Sequence, residues 1–298
     1  MSAAAAILPS ASAPARTSSD DDELDLSGLD RSGLRAVDWL LAPARRFPAL
    51  PTAVADVMAV ANNREANFRE VDRVVRADPV LAARVLSVAN SPLYRPPAPI
   101  TSLRMALMRL GWSILREVLL QAVAEAHLFR GGPRREVNAV RLHSIAIAHV
   151  HRHVAQVLGF DTEHAFVCGL LHDLGRPALL TALASTDAPP LDASQRELVI
   201  RALHPVIGAR TSRAWQLPDV VARVCLEHHR IDDGSAALSQ GGVSSVALCE
   251  ALVASEGFAS EPVCTAEQAA TLLARVQLPA HELESLRSTA LVLCREAS

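Results

Sequence analysis

The run NFREVDRVVRADPVLAARVLSVANSPLY, residues 67–94, decides the fold class. It reads as two helices broken at Ala77-Asp78-Pro79, because Asp78 suits an N-cap and Pro79 the first helical position. On its N-terminal side, FPALPTAVADVMAVA places Pro51 at a helix start, with Val54, Val57, Met58 and Ala61 on one stripe. On its C-terminal side, a proline-rich loop leads to Thr101 or Ser102 as a cap, and Gly111 breaks the helix that follows.

The rest of the chain continues in the same style. Helices are expected near 137–158, 162–175, 193–203, 205–216, 218–230, 241–256, 265–276 and 280–296. Half of the residues are hydrophobic and only 3% are aromatic, with Ala, Leu and Val dominant, a mix that favours helices over strands. No strand-like alternation of useful length is present. The expected architecture is therefore all-α, as two helical lobes that meet near residue 130, where GGP marks a break. Residues 1–33 are Ala/Ser/Pro-rich and then acidic, and are expected to stay disordered. The lobes then take residues 34–130 and 131–298, the second with a C-terminal helical extension.

Composition also excludes functions. No run of about 18 apolar residues suggests a membrane span, and the N-terminus lacks the basic and apolar regions of a secretory signal. The five cysteines form no CxxC pair, which suits a reducing cytoplasm. Every basic residue is arginine, and the net charge is -3. Six of the acids lie in the first 30 residues against one arginine, so the remainder is near neutral and gives no electrostatic case for nucleic acid. Arg69, Arg73, Arg76, Arg104, Arg109 and Arg116 read as solvated helix faces.

Several polar residues point inward. His143 shares a helix face with Ile147, Val150 and Val154. His149 and His153 fall on another face and read as a solvated flank, and His151 also lies off the stripe. His172 and Asp173 end the apolar helix AFVCGLLHDLG, with Gly175 as a C-terminal cap. His204 precedes Pro205, and His228 shares a face with Val221, Val224 and Cys225. Glu250 sits in the apolar stripe of Val243, Val246, Ala247, Val253 and Ala254, so its carboxylate must be neutralised, paired or metal-bound. An arginine partner is one account of Glu250. A common site for inward imidazoles and carboxylates is the more economical one, and that donor set suits one or two divalent ions, Fe, Mn or Zn. Cys168 and Cys225 read as small core residues.

His143, the His172-Asp173 pair and a distant carboxylate resemble the HD superfamily of metal-dependent phosphohydrolases. His204 and the His228-His229 pair look like the added ligands of its HD-GYP branch. FPALPTAVADVMAVA, ADPVLAARVLSVANSPLY, ITSLRMALMRLG and HPVIGARTSRAWQLPDVVARVCLEHH closely resemble the HDOD domain, an output domain of bacterial signalling proteins, over roughly residues 45–255. The resemblance implies a metal site of His143, His172, Asp173, His204, His228, His229 and Glu250. It further implies a non-catalytic module that works through contacts with a signalling protein. If the chain is instead active, it implies a phosphohydrolase acting on a nucleotide or cyclic dinucleotide, with Asp173 and Arg176 in catalysis. The chain departs from the HD pattern where Arg176 replaces a lysine and where no Gly-Tyr-Pro follows His229.

Overall fold

The computed structural model describes residues 24–42, 68–77, 79–91, 99–129, 131–159, 162–229 and 243–255, with scattered single positions elsewhere. Its helices are α1 (Arg31–Leu41), α2 (Phe68–Ala77), α3 (Pro79–Ala89), α4 (Leu103–His127), α5 (Arg134–Leu158), α6 (Thr162–Leu171), α7 (Gly175–Leu183), α8 (Ala193–Ala214), α9 (Asp219–Glu227) and α10 (Val243–Ser255). Among the described residues there is no strand, and the fold is the expected all-α bundle. The helix starting at Pro51 and the one over 265–276 lie outside the described residues, although Val57 is buried in the core.

Local signals place most helix ends. α2 stops at Ala77 and α3 starts at Pro79. α4 is interrupted at Gly111, whose φ of 71° is favourable only for a residue without a side chain. Ser102 stands at the N-cap of α4, but its side chain makes no capping bond. α5 ends on Gly159 in the left-handed conformation, with its N–H donating to Ala155.

Two apolar clusters hold the helices. The larger joins α2, α3 and α4 to α5, α6, α9 and α10, with Leu119, Ile147, Phe166 and Leu252 among its fully buried members. The smaller gathers α1, the start of α5, α7 and α8 around Val140, Leu179, Ile200 and Leu203. One stretch, His164–Leu183, is long and apolar enough to cross a membrane by composition, but 78% of it is buried inside the fold.

Three expectations are corrected here. The tail does not end at residue 33: α1 starts at Arg31, and Leu24, Leu26 and Leu29 pack against the smaller cluster. Asp30 caps α1 by accepting from the N–H groups of Ser32 and Gly33, and Gln195 of α8 accepts from the Asp30 N–H at 2.9 Å. α1 therefore packs with helices of the second half, not with the first lobe. The acidic composition of this stretch hid three leucines spaced to reach one surface.

The helices expected at 193–203 and 205–216 are one helix, α8, with Pro205 inside it. Proline removes the bond its N–H would make to the Arg201 carbonyl and crowds that carbonyl with its ring, yet α8 continues through it. Gly175 is not a left-handed cap. It opens α7, and a Cβ there would collide with the backbone carbonyl of His204. Glycine is needed because the backbones of α7 and α8 touch at that point.

Candidate metal centre

The close approach at Gly175 sets the site. α6 ends at Leu171, a turn follows, and α7 begins at Gly175, so His172 and Asp173 sit on a bend pressed against α8. The bend is tied by Leu174 N–H donating to Leu171 at 3.0 Å and Arg176 N–H donating to Asp173 at 2.9 Å. The Cys225 thiol donates to the Leu171 carbonyl at 3.1 Å, which occupies an acceptor that the end of α6 leaves free. Burial pushes that thiol pKa up, and both Cys168 and Cys225 are fully buried.

All seven residues proposed from the sequence meet in one place. His143 comes from α5, His172 and Asp173 from the bend, His204 from α8, His228 and His229 from the end of α9, and Glu250 from α10. Six are buried to 3% exposure or less, and His229 is half-buried. Among the described residues, no arginine pairs with Glu250. Its Oε1 lies 2.9 Å from His143 Nε2 and 2.8 Å from His172 Nε2. Asp173 Oδ1 lies 3.5 Å from His204 Nε2 and 3.4 Å from His228 Nε2, while its Oδ2 lies 3.7 Å from His172 Nε2.

The imidazoles are oriented from behind. Nδ1 of His172 is 2.7 Å from the Gly169 carbonyl, that of His204 is 3.0 Å from Ile200, and that of His228 is 3.0 Å from Cys225. Carbonyl oxygens only accept, so each Nδ1 carries a proton and each ring turns its Nε2 into the centre. His204 and His229 bring their Nε2 atoms to 2.7 Å from each other. Burial pushes the His204 pKa well down despite the Asp173 carboxylate, and pushes His229 down to about 3. Burial alone would raise the Asp173 pKa, but His172, Arg176 and the other imidazoles outweigh it and hold it well below the usual range. Glu250 is likewise held down, against its burial, by His143 and His172.

These residues fit a metal. Two groups have ligand atoms mutually within 4.8 Å: Asp173, His204, His228 and His229, and His143, His172 and Asp173. Asp173 belongs to both. Glu250 pairs with both histidines of the second group. Four buried atoms facing the cluster, His172 Nε2, Asp173 Oδ1, His228 Nε2 and Glu250 Oε2, have no aligned hydrogen-bond partner. Buried polar atoms left without partners each cost about 1–3 kcal/mol, and divalent cations held by these groups would supply the missing partners. Arg176 is also buried, with Nε 3.5 Å from Asp173 and a terminal nitrogen 3.7 Å from Glu197.

Some polar residues were misread from the sequence. His151 is fully buried, with Nε2 2.7 Å from Ser245 Oγ, and burial lowers its pKa to about 4. His149 is half-buried rather than solvated, 3.3 Å from Gln121 Oε1. α5 is covered by both α6 and α10, so its inward face is wider than one stripe. Arg116 is buried too, unlike the exposed Arg69, Arg73, Arg76, Arg104 and Arg109. His149 and His153 join no metal-like group among the described residues.

A family model described as HDOD domain matches residues 47–231. An HDOD domain protein of unknown function from Geobacter sulfurreducens has the same fold, with a TM-score of 0.65, 23% identity, and 90% of this chain and 98% of that one covered. A Shewanella amazonensis SB2B protein described as a metal-dependent phosphohydrolase superposes with a TM-score of 0.69 at 17% identity, over 89% and 99% of the two chains. A Marinobacter aquaeolei VT8 protein described as a signal transduction protein gives 0.62 at 20% identity, over 94% and 66%. An uncharacterised protein of Treponema pallidum (strain Nichols) is 24% identical over 201 residues, which are 62% of this chain but only 38% of that longer protein.

Proposed function

The chain belongs to the HDOD domain family, and from that premise we propose that it is a bacterial signal-transduction output module. It acts through contacts with a signalling protein partner, on a scaffold closed by a retained metal site. The observation that carries this reading is the burial of the centre. Six of its seven residues are at most 3% exposed, and Arg176, the group that would contact a phosphate, is itself buried against Asp173. A phosphate ester must reach both metal and cation to react, and a closed cluster favours a structural ion over a catalytic one. Three of the five cysteines lie among the described residues as buried free thiols, which suit the reducing cytoplasm proposed for it.

One observation favours a second reading, a metal-dependent phosphohydrolase acting on a nucleotide or cyclic dinucleotide. The donor set is complete, with Asp173 common to two ligand groups. A divalent ion bound there, whether Fe, Mn or Zn, would polarise a water molecule. In this reading Asp173 holds the ion and Arg176 contacts the phosphate.

Elemental analysis of protein purified without a metal-affinity tag, paired with hydrolysis assays on cyclic dinucleotides and simple phosphodiesters, separates the two. The output-module reading expects bound metal and no turnover. Metal-dependent turnover that is lost in Arg176→Ala would replace it with the phosphohydrolase. Protein that contains no metal and takes up none would remove the metal site from both.

A further inference from the structure

Ahead of its break at Gly111, α4 is apolar on both faces. Ala106, Leu107 and Leu110 turn inward and are buried in the larger cluster. Met105 and Met108, one turn apart on the outer side, are 57% and 68% exposed, the most exposed large apolar side chains among the described residues. The open surface continues to Gly111, where a Cβ would meet nothing within 4 Å. A single exposed apolar residue on a helix is ordinary. A helix whose inner face already fills the core, and whose outer face carries two adjacent methionines, has a second surface to cover.

The charge around the methionines is one-sided. From Pro79 to Arg116 the sequence holds five arginines and no acidic residue, in a chain whose net charge is -3. Arg84 is drawn to Glu125, 3.5 Å away, and Arg116 is buried. Arg104 and Arg109 are exposed, and helical spacing sets them on either side of Met105 and Met108. The Arg109 Nε–H donates to the Tyr94 carbonyl at 3.4 Å, which fixes where that guanidinium stands.

This pattern selects among occupants. A second copy of the chain, docked face to face, would set arginine against arginine. A membrane surface calls for a longer basic stripe with Trp, Phe or Leu beside it, whereas this face offers methionine between two arginines. Nucleic acid calls for more phosphate contacts than two arginines supply. An acidic helix with one apolar stripe matches both features. Its Leu or Phe side chains would lie on the flexible, polarisable methionines, and its carboxylates would pair with the arginines.

We propose that the outer face of α4, Met105 and Met108 between Arg104 and Arg109, docks an acidic amphipathic helix of a partner protein. This rests on the output-module reading and gives that module its contact surface. Bound metal without turnover tests the module itself, so a failure here with that result intact removes only the surface.

Nuclear magnetic resonance of the full chain, labelled on its methionine methyl groups, tests the proposal. The chain has four methionines, so Met105→Leu and Met108→Leu assign the two signals that matter. The probe is a stapled helix of about 20 residues, long enough to stay helical, with leucine on one face and glutamate elsewhere. It should shift both signals and leave the other methionines in place. The same helix with lysine for glutamate, and a scrambled sequence without an apolar face, should each bind at least about tenfold more weakly. Reversing both charges, with Arg104→Glu and Arg109→Glu together, should weaken the acidic helix about tenfold, the scale of two exposed ion pairs turned repulsive. The proposal is overturned if the acidic helix shifts neither signal at millimolar concentration, or if the lysine helix binds as well. It is overturned too if vesicles of phosphatidylglycerol shift the signals where the acidic helix does not, or if the charge reversal leaves affinity unchanged. The comparison of probes is made on the unaltered protein, so it decides the matter even if the variant does not fold.

Discussion

His204 and His229 face each other, Nε2 to Nε2, at 2.7 Å. His204 already directs its Nδ1 proton to the Ile200 carbonyl, so in the neutral ring its Nε2 is a bare lone pair. His229 is pushed down to a pKa of about 3, chiefly by burial, and is neutral near pH 7 as well. Two neutral rings so placed either share one proton or converge on a cation, and the orphaned atoms of His228 and Asp173 beside them favour the cation.

Asp173→Ala removes the one carboxylate common to both ligand groups. Metal content should fall by more than half. Stability should drop by about 3–5 kcal/mol, because the buried Arg176 loses the carboxylate beside it. Elemental analysis and thermal melts check the two together. A variant with full metal content and an unchanged melt would show that Asp173 is not a ligand.

Gly175→Ala puts a methyl group against the His204 carbonyl and the Gly208 amide, which are backbone atoms and cannot rotate away. α7 and α8 must then separate, and both carry or adjoin ligands. The expected cost is about 3 kcal/mol or more with weakened metal binding, on the scale of severe overpacking. Chemical denaturation with and without chelator measures it.

A chain beginning at residue 34 should melt below one beginning at residue 24. The shorter chain loses Leu24, Leu26 and Leu29 from the smaller cluster and the Asp30 cap. Asp30→Ala alone should cost about 1 kcal/mol, the usual value of an N-cap. Equal melting temperatures for the two chains would show that residues 24–33 do not hold α1 in place.

Stability should depend on pH through two buried groups of opposite sign. The Glu117 carboxyl is raised to about 7 by burial, so folding favours its neutral form. Its penalty is absent below about pH 4.5, grows as pH rises, and is complete above about 7. That change is worth about 3 kcal/mol at 1.36 kcal/mol per unit. Glu117→Gln should therefore gain on the unaltered protein by about that much between pH 4.5 and pH 8. His151 is lowered to about 4 by burial, so its stabilising neutral form is lost as pH falls from about 6.5 to 4. With Glu117 replaced, the remaining pH dependence should show the acid loss more steeply. Urea melts across this range give the curve, and a flat difference between the proteins would show that Glu117 is not shifted.

The helical class, and three of the seven clustered residues, were legible from local rules; the full set was legible only through the family resemblance. Asp78-Pro79 and Gly111 mark breaks by backbone chemistry. His143, His228 and Glu250 declare themselves by lying on apolar stripes. What escaped depends on packing between distant segments. His151 reads as off-stripe until α10 is known to bring Ser245 over it. Gly175 reads as a cap until His204 is known to lie against it. Arg116 and Glu117 look like any charged pair on a helix, and only the approach of Arg152 from α5 shows that Glu117 is buried in an ion pair.

The contact between His143 and Glu250 spans 107 positions of chain. It fastens α5, the first helix after the GGP break, to α10. In polymer terms it acts as a staple. Closing a flexible loop of that length costs roughly 4 kcal/mol of chain entropy by the (3/2)RT ln n rule. Once it is closed, α10 cannot peel away without tearing both buried histidines from the shared carboxylate. Local opening that would otherwise begin at that helix is thereby tied to global unfolding, and amide hydrogens of α10 near Glu250 should exchange as slowly as those of α5.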